Sequence, residues 1–158
     1  MDGLGGKVAS NIAGYPTLMS LPRERQPIIV VVEDDACLSE TIQDICDFLE
    51  VTVRSVASAE NLGPVLAKCR PMAVLAAVEA PGQDGCHVMK TVADHDRNLP
   101  ILLLTGGDPV LAGAADAVEE LWGLSCVLKR PILPGLGELV EFLCLAGQMG
   151  RCLGLMPV

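Results

Sequence analysis

Ile28-Ile29-Val30-Val31-Val32 runs directly into Glu33-Asp34-Asp35, and this passage from an unbroken apolar run to three acids decides the reading of the chain. Five consecutive branched aliphatic residues leave no side for water, so the segment reads as a strand buried on both faces. The acids mark where it emerges. Immediately afterwards the period changes. Leu38, Ile42, Ile45 and Leu49 recur at helical spacing, with Ser39, Glu40, Gln43, Asp44 and Asp47 between them. That pattern predicts an amphipathic helix.

The same alternation repeats outward from this unit. Strands are expected over 51–56, 73–78, 101–104 and 125–128, and helices over 59–69, 86–94, 109–122 and 135–147. Five apolar strands alternating with five helices need helices on both faces and right-handed crossovers. The expected fold is therefore α/β, a doubly wound five-stranded parallel sheet. Functional residues in such folds gather at the carboxyl ends of the strands. Those positions are 33–35, 77–79, 105–107 and 129–131.

Residues 1–26 differ from the rest. Gly3, Gly5, Gly6, Gly14, Pro16 and Pro22 read as an irregular N-terminal arm. Tyr15, Leu18, Met19 and Leu21 would supply apolar contacts if it docks on its own domain or on a neighbouring chain. Residues 27–147 form the folded domain, and 148–158 a C-terminal tail.

Composition narrows the function. Of 158 residues, 51% are hydrophobic and 3% aromatic, so the core must be aliphatic. The net charge of -9 argues against nucleic acid as a direct partner, because a phosphate-binding surface needs clustered Lys and Arg. Arg23 with Arg25, and Lys129 with Arg130, are too few. Seven cysteines, none in a C-x-x-C spacing, read as small buried hydrophobes in a reducing compartment. His87 and His95 are not at ligand spacing with any cysteine pair, so zinc is not expected. No signal peptide or membrane-spanning run is visible, and the expectation is a soluble, cytoplasmic protein.

Each strand-end cluster has a plain reading beside a chemical one. Glu33, Asp34 and Asp35 suit a hard cation such as magnesium, or Asp35 simply caps the next helix. Thr105, Gly106 and Gly107 can hold a phosphate or carboxylate oxygen, or only turn the chain. Lys129 and Arg130, before Pro131, can pair with a charge at the sheet edge, or lie exposed.

Taken together, Val-Val-Glu33-Asp34-Asp35, Pro81-Gly82-Gln83-Asp84-Gly85, Leu104-Thr105-Gly106 and Arg130-Pro131 resemble the receiver domain of bacterial response regulators over residues 27–147. The resemblance implies a (βα)5 flavodoxin-like fold with strand order 2-1-3-4-5. In that family an aspartate at the end of strand three accepts phosphate, four residues before the proline and eight before the glycine. Counting back from Pro81 and from Gly85 both lands on Ala77. Alanine offers no oxygen nucleophile, so family-type phosphorylation there is chemically impossible.

Other family positions have changed as well. The family's lysine aligns with Arg130, whose planar fork is not a simple substitute. Lys129, one residue away, should point to the opposite face. The family's switch aromatic aligns with Val127. For magnesium, Glu33 and Asp34 remain but the Ala77 ligand is missing, so binding is expected to be weak or absent. Glu79, at the family's carbonyl-ligand position, can replace that ligand, pair with Arg130, or stay a solvated loop acid. Without a buried acceptor, like-charge repulsion with Glu33 and Asp34 disappears, and the site should be less bistable.

Three functions compete. The first is a non-enzymatic pseudo-receiver that acts by protein contact. Its partners would be a histidine kinase, a phosphotransferase, an output protein or a second copy. It would use the last two helices and strand five, where Leu121, Trp122 and Val127 lie. The second keeps phosphoryl transfer, with Glu79, Asp84 or an acid of the first cluster as acceptor. The third is a small-molecule sensor, with Gly106, Gly107 and the acids binding a ligand at the sheet edge.

Overall fold

The structure is a computed structural model, and it describes residues 25–33, 37–77 and 84–152. The elements alternate as expected: β1 (Gln26–Val32), α1 (Cys37–Phe48), β2 (Thr52–Val56), α2 (Leu62–Cys69), β3 (Pro71–Ala77), α3 (Asp84–His95), β4 (Ile101–Leu104), α4 (Pro109–Trp122), β5 (Val127–Arg130) and α5 (Leu136–Met149). A short 3-10 turn, Ala59–Asn61, leads into α2. All strand pairs are parallel, in the order β2-β1-β3-β4-β5.

Successive residues of a strand point to opposite faces, so each central strand feeds two cores. Ile29, Val31, Ala73, Leu75, Leu102 and Leu104 pack under α1 and α5, against Leu38, Ile42, Leu139 and Leu143. Val30, Val32, Val74, Ala76, Ile101 and Leu103 pack under α2, α3 and α4, against Leu62, Leu66, Met89 and Val92. Burial on both faces is why these strands read as unbroken apolar runs. Helix α4 has the clearest start signal. Asp108 caps it, its Oδ1 accepting from the Val110 N–H at 2.9 Å, and Pro109 follows where no N–H is needed.

Several boundaries differ from the sequence reading; β3 spans Pro71–Ala77 against 73–78 and α3 spans Asp84–His95 against 86–94. Strand β5 runs over Val127–Arg130, two residues later than expected. Its register is set by β4: Ile101 pairs with Val127 and Leu104 with Arg130, while the Ile101 N–H donates to the Cys126 carbonyl at 2.8 Å. Lys129 and Arg130 are thus part of the strand, which tolerates them because β5 is an edge strand and only half-buried. The domain also reaches further at both ends. Gln26 opens β1, and α5 extends to Met149. The Arg25 N–H donates to the Gly150 carbonyl at 2.9 Å and closes the two ends of the domain on each other. The arm contacts expected of Tyr15, Leu18, Met19 and Leu21 lie outside the described residues.

All seven cysteines carry thiols and none forms a disulfide. Only Cys46 and Cys144 are buried as hydrophobes. Cys69, Cys86, Cys126 and Cys152 are half-buried, and Cys37 is exposed at the start of α1. Burial, with Asp47 nearby, pushes the Cys46 thiol up to about 11.

Candidate functional site at the strand ends

The sheet brings Ala77, Leu104 and Arg130 side by side, because they are register partners across β3, β4 and β5. Ala77 is half-buried and packs against the core under α1 and α5. The alanine methyl therefore stands at the last position of β3, where the resemblance places the phosphate acceptor.

Glu33 is buried and turned into α1. Its Oε1 accepts from the Leu38 N–H at 2.7 Å and its Oε2 from the Ser39 N–H at 2.9 Å. A carboxylate at the positive end of a helix satisfies donors that have no partner within the helix. The sequence reading gave capping to Asp35 and metal binding to Glu33. Glu33 itself is a cap. Asp34, Asp35 and Glu79 lie outside the described residues, as does the side chain of Asp84.

The two cations of β5 diverge. Lys129 points to the face of α4, where its Nζ meets Asp116 Oδ1 at 2.9 Å and also Glu119 Oε1. Burial weakens its charge, but these two acids outweigh that and hold the ammonium above its ordinary range. Arg130 points to the face of α5. Its Nε lies 3.2 and 3.1 Å from the two Glu138 carboxylate oxygens, its Nη2 lies 2.5 Å from Oε2, and its Nη1 donates to the Lys129 carbonyl at 2.8 Å. The hydrogen bond from Arg130 holds the Glu138 carboxyl below its usual range. The opposite-face expectation for the two cations agrees with this geometry. The fork of Arg130 meets Glu138 on α5, and Glu79, the partner suggested for it, lies outside the described residues.

Thr105 and Gly106 serve the backbone. The Thr105 N–H donates to the Arg130 carbonyl at 2.9 Å, its hydroxyl reaches the same oxygen at 3.4 Å, and the Gly106 N–H donates to the Pro131 carbonyl at 2.9 Å. Gly106 and Gly107 both take positive φ, 69° and 80°, which residues with a Cβ rarely adopt. These groups stitch β4 to the end of β5 and are not turned outward to an anion.

Of the residues considered for a divalent cation, Asp34, Asp35 and Glu79 lie outside the described ones. Glu33 faces the helix, Ala77 offers no side-chain oxygen, and no three His, Cys, Asp or Glu side chains converge among the described residues. Sequence reasoning missed Glu138, Asp116 and Glu119 as partners of the two cations. The available signal was Glu138 in the first turn of a helix, eight residues after Arg130.

Of the interface residues, Leu121 is exposed at the end of α4. Trp122 is half-buried beside it and lines a small cavity of about 260 Å³ with Asp94, Arg97 and Glu120. Val127 packs partly against the core under α4. The structure brings Leu121 and Trp122 together, with Val127 set into the adjoining strand.

Comparison with known proteins supports the same class. No family model matches the chain. It is 28% identical over 106 residues to the C4-dicarboxylate transport transcriptional regulatory protein DctD of Pseudomonas aeruginosa, covering 63% of this chain and 23% of that protein. It is 32% identical over 125 residues to response regulator MprA of Mycolicibacterium vanbaalenii, covering 70% of this chain and 54% of that one. The chain thus spans about half the length of these relatives or less. Among solved structures, the fold matches the beryllofluoride-activated NtrC receiver domain with a TM-score of 0.57, at 20% identity over 82% of this chain and 98% of that one. The receiver domain of the Francisella response regulator 1452 matches with a TM-score of 0.60, at 14% identity over 78% of this chain and 98% of that one. Over this region the chain is similar to response regulators, and its five-stranded sheet has the flavodoxin-like fold of the receiver domains it matches. No described helix is long and apolar enough to cross a membrane.

Proposed function

We propose that this receiver domain signals by protein contact, without aspartyl phosphorylation and without catalysis. The observation that carries the reading is Ala77, which ends β3 where the receiver resemblance places the acceptor aspartate. Two further observations support it. Arg130, at the position of the family's lysine, is held by Glu138 on α5. Thr105, in the Leu104-Thr105-Gly106 stretch that carries part of the resemblance, bonds the backbone of β5. A site with no nucleophile, and with its cation and hydroxyl paired elsewhere, has nothing to couple phosphate to conformation. Output then depends on which protein binds the fixed surface. The partner is a kinase, a phosphotransferase, an output protein or a second copy, in a cytoplasmic two-component pathway.

The test is an intact-mass spectrum after incubation with magnesium and acetyl phosphate, beside an Ala77→Asp variant. The native chain should gain no phosphoryl mass. A gain in the native chain overturns the proposal, and mapping the modified residue would identify the carboxylate that serves, with Glu79 and Asp84 the first to inspect.

A further inference from the structure

We infer that the open edge of β5 and the apolar cleft beside it bind an extended peptide, apolar at alternate positions and basic at one end, as a sixth strand. The inference rests on the contact reading above and names the partner's chemistry.

Three features of the cleft lead to this. First, β5 is the last strand of the sheet, and no strand lies beyond it among the described residues. The carbonyls of Cys126 and Arg130 face β4, where the Ile101 and Thr105 N–H groups reach them. The backbone groups of Val127 and Lys129 are one residue out of phase and so face away from the sheet. An edge of this kind is a template for another strand unless it is blocked.

Second, the edge opens onto a cleft of about 460 Å³ between β5 and α5. Leu128, Phe142, Leu145 and Met149 give it apolar walls, and Leu145 is 57% exposed. Side chains on one face of an added strand would enter it at every second residue, which is how strand addition acquires specificity.

Third, the charge at its upper rim is unbalanced. Arg130, Glu138 and Glu141 line that end, and Arg130 is already paired with Glu138. The exposed Glu141 remains to meet a basic residue. A guard is present as well. The Arg130 Nη1 donates to the Lys129 carbonyl, the outward acceptor nearest the strand end. An incoming strand engages Val127 first and then displaces this one bond.

The probe is a synthetic peptide of alternating valine and threonine headed by two lysines, titrated into the full ¹⁵N-labelled chain. The Val127 and Lys129 amides should shift, and their exchange should slow at least about tenfold. Leu145→Glu blocks the cleft from an exposed position and should weaken binding at least about tenfold, as a charge in an apolar pocket must. Val127→Pro removes the outward donor and should do the same. Glu141→Lys should weaken binding by a smaller factor. Unchanged affinity in Leu145→Glu, shifts confined to α4 or the loops beyond Thr105, or no shift at millimolar peptide each overturns the inference. Slower tumbling with rising concentration of the chain alone, abolished by Leu145→Glu, assigns the edge to a second copy and also overturns it. The intact-mass result reports on the acceptor alone, so failure of either reading is visible separately.

Discussion

The two ends of the sheet treat their charges differently. At the amino end, Arg25 draws three elements together. Its backbone N–H bonds Gly150 after α5, its guanidinium meets Asp96 after α3 at 2.8 Å, and β1 begins at the next residue. At the carboxyl end the charges among the described residues are paired outward, Glu33 to α1, Lys129 to α4 and Arg130 to α5, and Ala77 stands on β3. One end gathers its elements about a single cation. The other ties its described charges to three separate helices. The difference teaches that the carboxyl end is braced helix by helix, whereas the amino end joins elements across the domain.

Changes at the amino end should therefore be the costlier. Gly150→Ala places a Cβ 2.9 Å from the Arg25 Cβ, where a neighbour must move. Overpacking of this sort destabilises by roughly 1–3 kcal/mol, read by urea unfolding. A variant as stable as the parent would show that the junction yields easily, and would break the contrast. At the carboxyl end Glu33→Ala should lose about 1 kcal/mol, the usual cost of a removed helix cap. Amide exchange should quicken first at Leu38 and Ser39, and a change spread over the whole domain would give Glu33 a wider role.

A third prediction concerns pH. Burial raises the Asp96 pKa, but the Asn98 N–H and Arg25 outweigh it and hold the carboxyl below its ordinary value. Its folded value is thus the lower one. The stabilisation is present above the unfolded carboxylate pKa and is lost as pH falls through the folded value. Asp96→Asn should flatten the acid side of the stability profile, and an unchanged profile would remove Asp96 from the account. The smallest effect is expected at Glu138→Gln. Its pair with Arg130 is solvent-exposed, and such pairs contribute little. Unfolding should barely move, while the Arg130 side-chain NMR signals shift.

Much of the fold was legible because burial on both faces writes itself as unbroken apolar runs, as in Ile28–Val32 and Ile101–Leu104. Strand β5 was displaced in the sequence reading because Ser125 and Cys126 extend an apolar-looking run, whereas the strand itself ends in two cations. What makes those cations tolerable is the acids of α4 and α5, and no short-range pattern announces such tertiary pairs. The register that sets Ala77 at the acceptor position was read from two loop anchors, Pro81 and Gly85. The role of Glu33 was not, since capping is read from residues adjoining a helix and this carboxylate reaches in from the end of β1.

The bond between Arg130 and Glu138 also bears on how the strand ends can be rebuilt. An aspartate placed at position 77 alone would enter beside a strand-end cation that already has a partner. To claim that cation it would first have to open the fork on α5, so a change at one residue is coupled to the fit of two others. The pair works as a latch that keys the end of β5 to α5.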